Sequence, residues 1–253
     1  MMPWDELHSL ERDIASTDLT KPGAKQKCMD LITDLMILCY LEAFEDAGAA
    51  TGYPVDLGTG SNRGSGSGSG GGSGNSGTKG PDGSRTNGSG SSGKAGGAAG
   101  SSGKTGAKDA AGAALKPDAK TMRQTIYQRV ADKDFEQRCM DYLAIVDLNA
   151  LNVVMETDGH RIYNQAVIDA ADQAVALFKE EYGAFPNMRK VWHTMMDEKV
   201  RMTHDYLEGM AVGLRDEFYT FDGDHAAAPG GFGKAENNVN CRCWITLNMS
   251  LPW

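Results

Sequence analysis

A long run of glycine and serine divides this chain into parts that cannot fold in the same way. Most of the 32 glycines among the 253 residues lie between residues 58 and 116. This stretch has few apolar side chains, so burial cannot offset the entropy lost on ordering it. We therefore predict a disordered linker over residues 58–116. Fewer than 200 residues remain, enough for one modest core and a smaller helical piece.

The linker also carries an excess of basic over acidic residues. The basic residues are Arg63, Lys79, Arg85, Lys94, Lys104 and Lys108. A Gly/Ser chain of this length has a typical end-to-end distance of about 40 Å. A flexible cationic strap would make weak contacts with the phosphates of packaged DNA. The alternative, which we favour, is a solvated spacer whose lysines keep it soluble.

Residues 1–57 form a helical N-terminal segment in this interpretation. Lys21, Pro22 and Gly23 end a short amphipathic piece, and apolar residues then recur at helical spacing. The run over residues 35–41 is apolar nearly all round, so this helix must be buried. The surface that buries it is the C-terminal domain, a second copy of the chain or a partner protein. Packing within the chain is the favoured alternative.

Charge and cysteine content limit the classes of function. A net charge of −9 and an isoelectric point near 5.0 disfavour binding of nucleic acid by the whole surface. The start of the chain lacks the pattern of a signal peptide, and the run over residues 35–41 is too short to span a bilayer. We expect a soluble cytoplasmic protein without a membrane partner. An odd number of cysteines predicts free thiols, at Cys28, Cys39, Cys139, Cys241 and Cys243.

Residues 117–253 combine helical periodicity with later strand-like alternation. We predict helices over 121–130, 134–142 and 149–182, the last ended by Gly183 and Pro186. A short helix over 202–207 and strands over 190–195, 218–221 and 243–247 follow. The fold class is therefore α+β, in which helices precede a small antiparallel sheet with long loops.

The last third of the chain contains uncommon residues in one order, written K-x-W, D-x-x-x-R-x-x-H-x-x-x-x-G, F, P-G-G-F-G and N-C-R-C. A T-D-x-x-R segment precedes them on the long helix. Together we call these the signature residues. They are Thr157, Asp158, Arg161, Lys190, Trp192, Asp197, Arg201, His204, Gly209, Phe218, Pro229, Gly230, Asn240, Cys241, Arg242 and Cys243.

This set closely resembles the phage head morphogenesis family, the Mu protein F-like minor capsid proteins. The resemblance covers residues 120–247 and implies nothing about residues 1–115. Relatives carry T-[ED]-x-x-R with Glu more often than Asp, so Asp158 is a mild departure from the pattern.

The resemblance implies a minor capsid protein that is packaged in the procapsid near the portal. Its partners would be the portal protein and capsid or scaffold proteins, and it would assist head assembly and DNA packaging or ejection. It would reside in the virion or procapsid interior, and in the host cytoplasm during assembly. The N-terminal helices, held on the linker, would then be available to a second partner.

The alternative function is a nuclease or nucleotide-modifying, toxin-like enzyme delivered with the virion, because some relatives are fused to such effectors. Since the chain ends at Trp253, soon after the signature residues, we expect no additional effector domain.

Asp197, Arg201 and His204 are spaced four and three residues apart, so a helix would present them on one face. We expect Asp197 to pair with Arg201. Arg201 and His204 would then form an anion or nucleotide pocket, or the set would brace the helix on the sheet. The brace is the favoured interpretation.

His204, Cys241 and Cys243 are the metal-ligand candidates, with His193 or Asp197 as a fourth ligand. Zinc prefers four nitrogen or sulfur ligands, usually from wider-spaced cysteine pairs. On a strand the two thiols share one face, because side chains alternate. We favour cysteines that fill the core while Asn240 and Arg242 bond to neighbouring loops. We therefore predict no cofactor, with zinc as the alternative.

The sequence offers little for catalysis. Neither G-x-S-x-G nor H-E-x-x-H occurs. Glu156, Asp158 and His160 are the best general acid or base candidates, and only the first and third share a helical face. The glycine-rich loop lacks the residues of a phosphate-binding loop, so we expect Phe232 to plug the core beside Trp192 or Trp244. We predict no catalytic residues and no enzymatic activity.

Overall fold

The computed structural model describes residues 3–57, 113–128 and 133–250. Nearly all of the predicted linker, including the basic residues from Arg63 to Lys108, lies outside these ranges. The described residues on the two sides of that stretch pack into one compact unit. The predicted linker reached residue 116, whereas Leu115 is buried and forms a parallel bridge with Val55. Leu115 therefore belongs to the folded unit, although the sequence placed it in the linker.

Seven helices occur in the described residues. They are α1 (Trp4–Ser16), α2 (Ala24–Thr51), α3 (Ala119–Ile126), α4 (Phe135–Ile145), α5 (Leu148–Tyr182), α6 (Met202–Asp205) and α7 (Ala235–Asn238). The side chains of Asp118, Asp134 and Asp147 accept hydrogen bonds from backbone amides three residues on, at the starts of α3, α4 and α5. Gly183, with φ of 70°, ends α5.

The strands in the described part of the chain form two small antiparallel sheets. They are β1 (Asn187–His193), β2 (Ala211–Gly213), β3 (Phe218–Tyr219), β4 (His225–Ala226) and β5 (Trp244–Ser250). The larger sheet has the order β2-β1-β5, and β3 pairs with β4. In the larger sheet Lys190 lies opposite Leu247 and Trp192 lies opposite Ile245. The predicted α+β class, helices followed by a small antiparallel sheet, is confirmed.

The apolar helix α2 packs against α5. Tyr40 of α2 donates a hydrogen bond of 2.8 Å to Asp169 of α5, and Tyr163 of α5 donates one to Asp46 of α2. Phe44 is fully buried in the same core. The sequence left three alternatives for what buries this helix: the C-terminal domain, a second copy or a partner protein. The structure shows packing within the chain. The buried face of α2 is therefore occupied by α5. It does not offer a docking surface that the predicted linker would hold away from the domain.

Within the described ranges, no helix has both the length and the apolar content needed to cross a bilayer.

Candidate functional site

Three ligand-type side chains meet in the core beside α6. His204 lies in α6, whereas Cys241 and Cys243 lie on the segment that enters β5. Nδ1 of His204 is 3.6 Å from Sγ of Cys241 and 3.6 Å from Sγ of Cys243. All three side chains are buried. We call this group the thiol–imidazole cluster.

Aromatic rings hold the imidazole of the cluster in place. Phe232 stacks on His204 with 5.3 Å between ring centroids, and Trp192 meets it edge-on at 5.5 Å. Phe232 itself lies 5.8 Å from Trp192, so the glycine-rich loop places its large side chain in the core. Nε2 of His204 is buried and has no hydrogen-bond partner among the described residues. Ring packing, and not a bond at Nε2, fixes the orientation of the imidazole.

The two thiols of the cluster differ in acidity. A hydrogen bond from Cys243 and the neighbouring His204 hold the pKa of Cys241 well below its ordinary value, against the effect of burial. The hydrogen bond to Cys241 and burial raise the pKa of Cys243.

The polar residues around the cluster pair differently from the sequence prediction. Asp197 accepts a bond of 2.7 Å from Arg242, and this hydrogen bond lowers the pKa of the carboxyl. Arg201 donates to the backbone carbonyl of Val239. The predicted pair between Asp197 and Arg201 is wrong. The helix begins only at Met202 and Arg201 is extended, so helical spacing does not apply to these residues.

The two residues considered as a fourth metal ligand lie outside the cluster. His193 contacts Thr246 through Nε2 at 2.8 Å and Glu208 through Nδ1 at 3.4 Å. Asp197 is engaged by Arg242. In the part of the chain that the structure describes, the group of close ligand atoms consists of His204, Cys241 and Cys243.

The T-D-x-x-R segment ties three helices together. Asp158, buried in α5, forms ion pairs of 2.7 Å with Arg138 of α4 and 3.0 Å with Arg161 of α5. Arg161 also donates to the carbonyl of Thr125 at 3.3 Å and to Gln128 at 3.1 Å. Asp158 is thus a bridging counter-charge between helices, and not a general base.

The remaining acid or base candidates from the sequence lie apart from the cluster. His160 is buried 4.9 Å from the ring of Trp4, and burial lowers its pKa to about 4. Its imidazole is therefore neutral at physiological pH. Glu156 lines a surface cleft.

Buried contacts join α5 to the loops of the signature. The amide of Asn164 donates to the carbonyls of Cys243 at 3.1 Å and Pro229 at 3.4 Å, and it accepts from the N–H of Ile245 at 3.0 Å. At Gly230, with φ of 85°, an added Cβ would lie 2.9 Å from Cβ of Arg161. Only glycine permits both this backbone conformation and this approach.

Thr157 and Asn240 fix the turn before the cysteines. Oγ1 of Thr157 accepts a hydrogen bond of 3.0 Å from the backbone N–H of Asn240. Asn240 has φ of 56°, a conformation that asparagine tolerates better than most residues. This contact sets the point at which Cys241 enters the core.

The K-x-W residues of β1, Lys190 and Trp192, are both buried in the core of the domain. Lys190 is buried, and its Nζ lies 5.6 Å from the centre of the Phe218 ring, within the range of a cation–π contact. Burial lowers the pKa of Lys190 to about 8. The backbone of Trp192 exchanges hydrogen bonds of 2.9 Å with Gly209 and Met210, and φ of 71° at Gly209 favours glycine there.

A cationic cleft adjoins the thiol–imidazole cluster. Its volume is about 770 Å³, and its lining includes Lys199, Arg201 and Arg242 together with Glu156. A second space of about 10 Å³ is lined by the cluster and shares these three cations with the cleft. The predicted pocket formed by Arg201 and His204 is therefore divided, because His204 lines only the small space.

Asp224 is the centre of a hydrogen-bond network that holds the glycine-rich loop and that was not predicted from the sequence. Asp224 accepts bonds of 3.0 Å from the N–H groups of Gly233 and Lys234 and of 2.9 Å from Asn237. Burial acts to raise the pKa of Asp224, but these hydrogen bonds together hold it below its ordinary value. The Asp-Gly-Asp turn ahead of the loop is the sequence signal that points to it.

Comparison with known proteins identifies a family. Residues 112–246, more than half of the chain, match the family model described as Phage Mu protein F like protein. The match includes every signature residue. No solved structure matches the chain significantly.

Two curated proteins are similar to shorter parts of the chain. The minor head protein GP7 of Bacillus phage SPP1 is 28% identical over 98 residues, which are 39% of this chain and 29% of that protein. The NAD(+)–arginine ADP-ribosyltransferase EFV of Enterococcus faecalis is 42% identical over 57 residues, which are 22% of this chain and 12% of that protein. The chain thus spans less than a third of the length of either relative.

Because Asp158 pairs with two arginines, loss of its charge should strongly destabilise the fold. Asp158→Asn leaves Arg138 and Arg161 without their shared counter-charge, so the free energy of unfolding should fall by about 3–5 kcal/mol. Asp158→Glu retains the charge, so its free energy of unfolding should fall by less than that of Asp158→Asn. Urea denaturation of the purified chain measures both.

Asp34→Asn, the same substitution at an exposed position of α2, is the control and should change stability by less than about 0.5 kcal/mol. Equal effects at Asp158 and Asp34 would contradict the bridging role of Asp158.

Proposed function

This chain belongs to the family of Phage Mu protein F like proteins, and on that basis we propose that it is a minor structural protein of a phage head. The observation that carries the proposal is the family match over residues 112–246. The similarity to the minor head protein of phage SPP1 supports it. The contacts of the signature residues also support it, since most of these residues pair with one another inside the domain.

The proposed place of the protein is the procapsid interior near the portal. There it would contact the portal protein and capsid or scaffold proteins, and it would assist head assembly and DNA packaging or ejection. Before assembly it would reside in the host cytoplasm. The basic residues of 58–116 add a weak contact with DNA phosphates to this proposal.

An exposed aromatic group suits docking to another head protein. The exposed fractions of Tyr206, Tyr219 and Phe221 are 47%, 57% and 61%. Tyr206 lies 6.2 Å from Phe221 between ring centroids and donates a hydrogen bond to the carbonyl of Tyr219. Clustered exposed aromatic side chains are typical of protein interfaces. We assign this surface to the contact with the head.

Incorporation into heads tests the proposal. In a phage or prophage that carries this gene, the tagged chain should co-purify with procapsids and virions, as measured by quantitative mass spectrometry. The double substitution Tyr206→Ala and Phe221→Ala should lower incorporation at least tenfold, because the aromatic surface is lost. Recovery of the unaltered chain only in the free protein fraction would overturn the structural role.

Phe185→Ala is the matched control for this experiment. Phe185 is 61% exposed, as is Phe221, but it contacts Lys179 at the end of α5. Its loss should leave incorporation unchanged. Equal losses in the control and in the double variant would contradict the assignment of the surface.

A second candidate function is an enzyme that acts on a nucleotide. The 57-residue similarity to an ADP-ribosyltransferase and the cationic cleft favour it. We expect the purified chain to consume no NAD⁺ and to cleave no more nucleic acid than a heat-denatured sample does. The reason is that Arg242 is bound by Asp197 and Arg201 by the carbonyl of Val239. Turnover that Arg201→Gln or Glu156→Gln abolishes at an unchanged melting temperature would establish this enzyme and overturn our expectation.

A further inference from the structure

The distances in the thiol–imidazole cluster fit a tetrahedral metal ion. Zinc binds histidine nitrogen at about 2.0–2.1 Å and cysteine sulfur at about 2.3 Å, so tetrahedral angles place nitrogen and sulfur about 3.6 Å apart. Both observed separations between Nδ1 of His204 and the sulfur atoms are 3.6 Å. The three ligand atoms all lie within 4.8 Å of one another.

Hydrogen bonding within the cluster accounts for only one of these contacts. A neutral imidazole Nδ1 is either a single donor or a single acceptor. It therefore directs one bond. The hydrogen bond between the two thiols engages the second sulfur but does not explain why both sulfur atoms lie at the same distance from the nitrogen. A cation between the three atoms satisfies both sulfurs and the nitrogen at once.

The surroundings of the cluster also suit a metal ion. Phe232 and Trp192 fix the plane of the imidazole. Both thiols of the N-C-R-C segment are buried, whereas Arg242 between them bonds Asp197. The adjoining space of about 10 Å³ is close to what one water molecule needs.

We propose that Nδ1 of His204 and the sulfur atoms of Cys241 and Cys243 bind one Zn²⁺ ion. The described part of the chain brings no further histidine, cysteine or carboxylate to this group, so a water molecule from the small space completes the tetrahedron. Zinc binds both cysteines as thiolates, so any thiol proton that they carry is released to solvent on binding. The ion joins α6 to the segment that enters β5, because its ligands Cys241 and Cys243 lie 37 and 39 residues after His204 in the chain.

Metal content of the full chain tests the site. The protein is purified without a histidine tag from medium that contains zinc, and metal is measured by inductively coupled plasma mass spectrometry. One zinc per chain is expected. Cys241→Ser and Cys243→Ser should each lower zinc content at least tenfold, whereas Cys28→Ser, at a buried thiol outside the cluster, should retain it.

Cobalt substitution keeps the proposal testable if the serine variants do not fold. The unaltered chain loaded with Co²⁺ should show a thiolate-to-cobalt charge-transfer band of the strength that two thiolates give, and His204→Ala should change its ligand-field bands. A folded protein without zinc and without this band would overturn the site. Equal zinc content in the Cys241→Ser and Cys28→Ser variants would do the same.

Discussion

The amide side chain of Asn164 is the contact on which the arrangement of the domain depends. It is fully buried in α5 and bonds the backbone of β5 on one side and of the glycine-rich loop on the other. Each buried polar group left without a partner costs about 1–3 kcal/mol, so one placement of these segments on α5 is strongly preferred. The positions of Cys241 and Cys243 relative to α6 follow from that placement.

Most signature residues make contacts inside the domain that hold its helices, loops and sheet together. Asp158 and Arg161 join the helices, Thr157 and Asn240 set the turn before the cysteines, and Gly230 lets the loop approach α5. Such a frame leaves the outer surface free for docking, which agrees with the proposed role in a phage head. The cationic cleft lies beside the thiol–imidazole cluster, and Lys199, Arg201 and Arg242 line both the cleft and the small space at the cluster.

Local patterns could be predicted from the sequence, whereas long-range pairing could not. The helix expected over 149–182 is observed at Leu148–Tyr182, because apolar periodicity and Gly183 both act locally. The partners of Asn164 are as many as 81 residues away, so no spacing rule reveals them. The pairing of Asp197 was missed for a related reason. Helical spacing suggested Arg201, but the chain there is not helical and Arg242 of a distant segment approaches.

Hydrogen exchange of backbone amides in the full chain tests the central claim, that buried contacts of α5 make helices and sheet one cooperative unit. The account predicts that amides in the middle of α5 and of β5 exchange through a common opening with the same free energy. It also predicts that Asn164→Leu lowers the protection of both elements equally. Exchange of β5 through a separate, lower-energy opening while α5 stays protected would contradict the account.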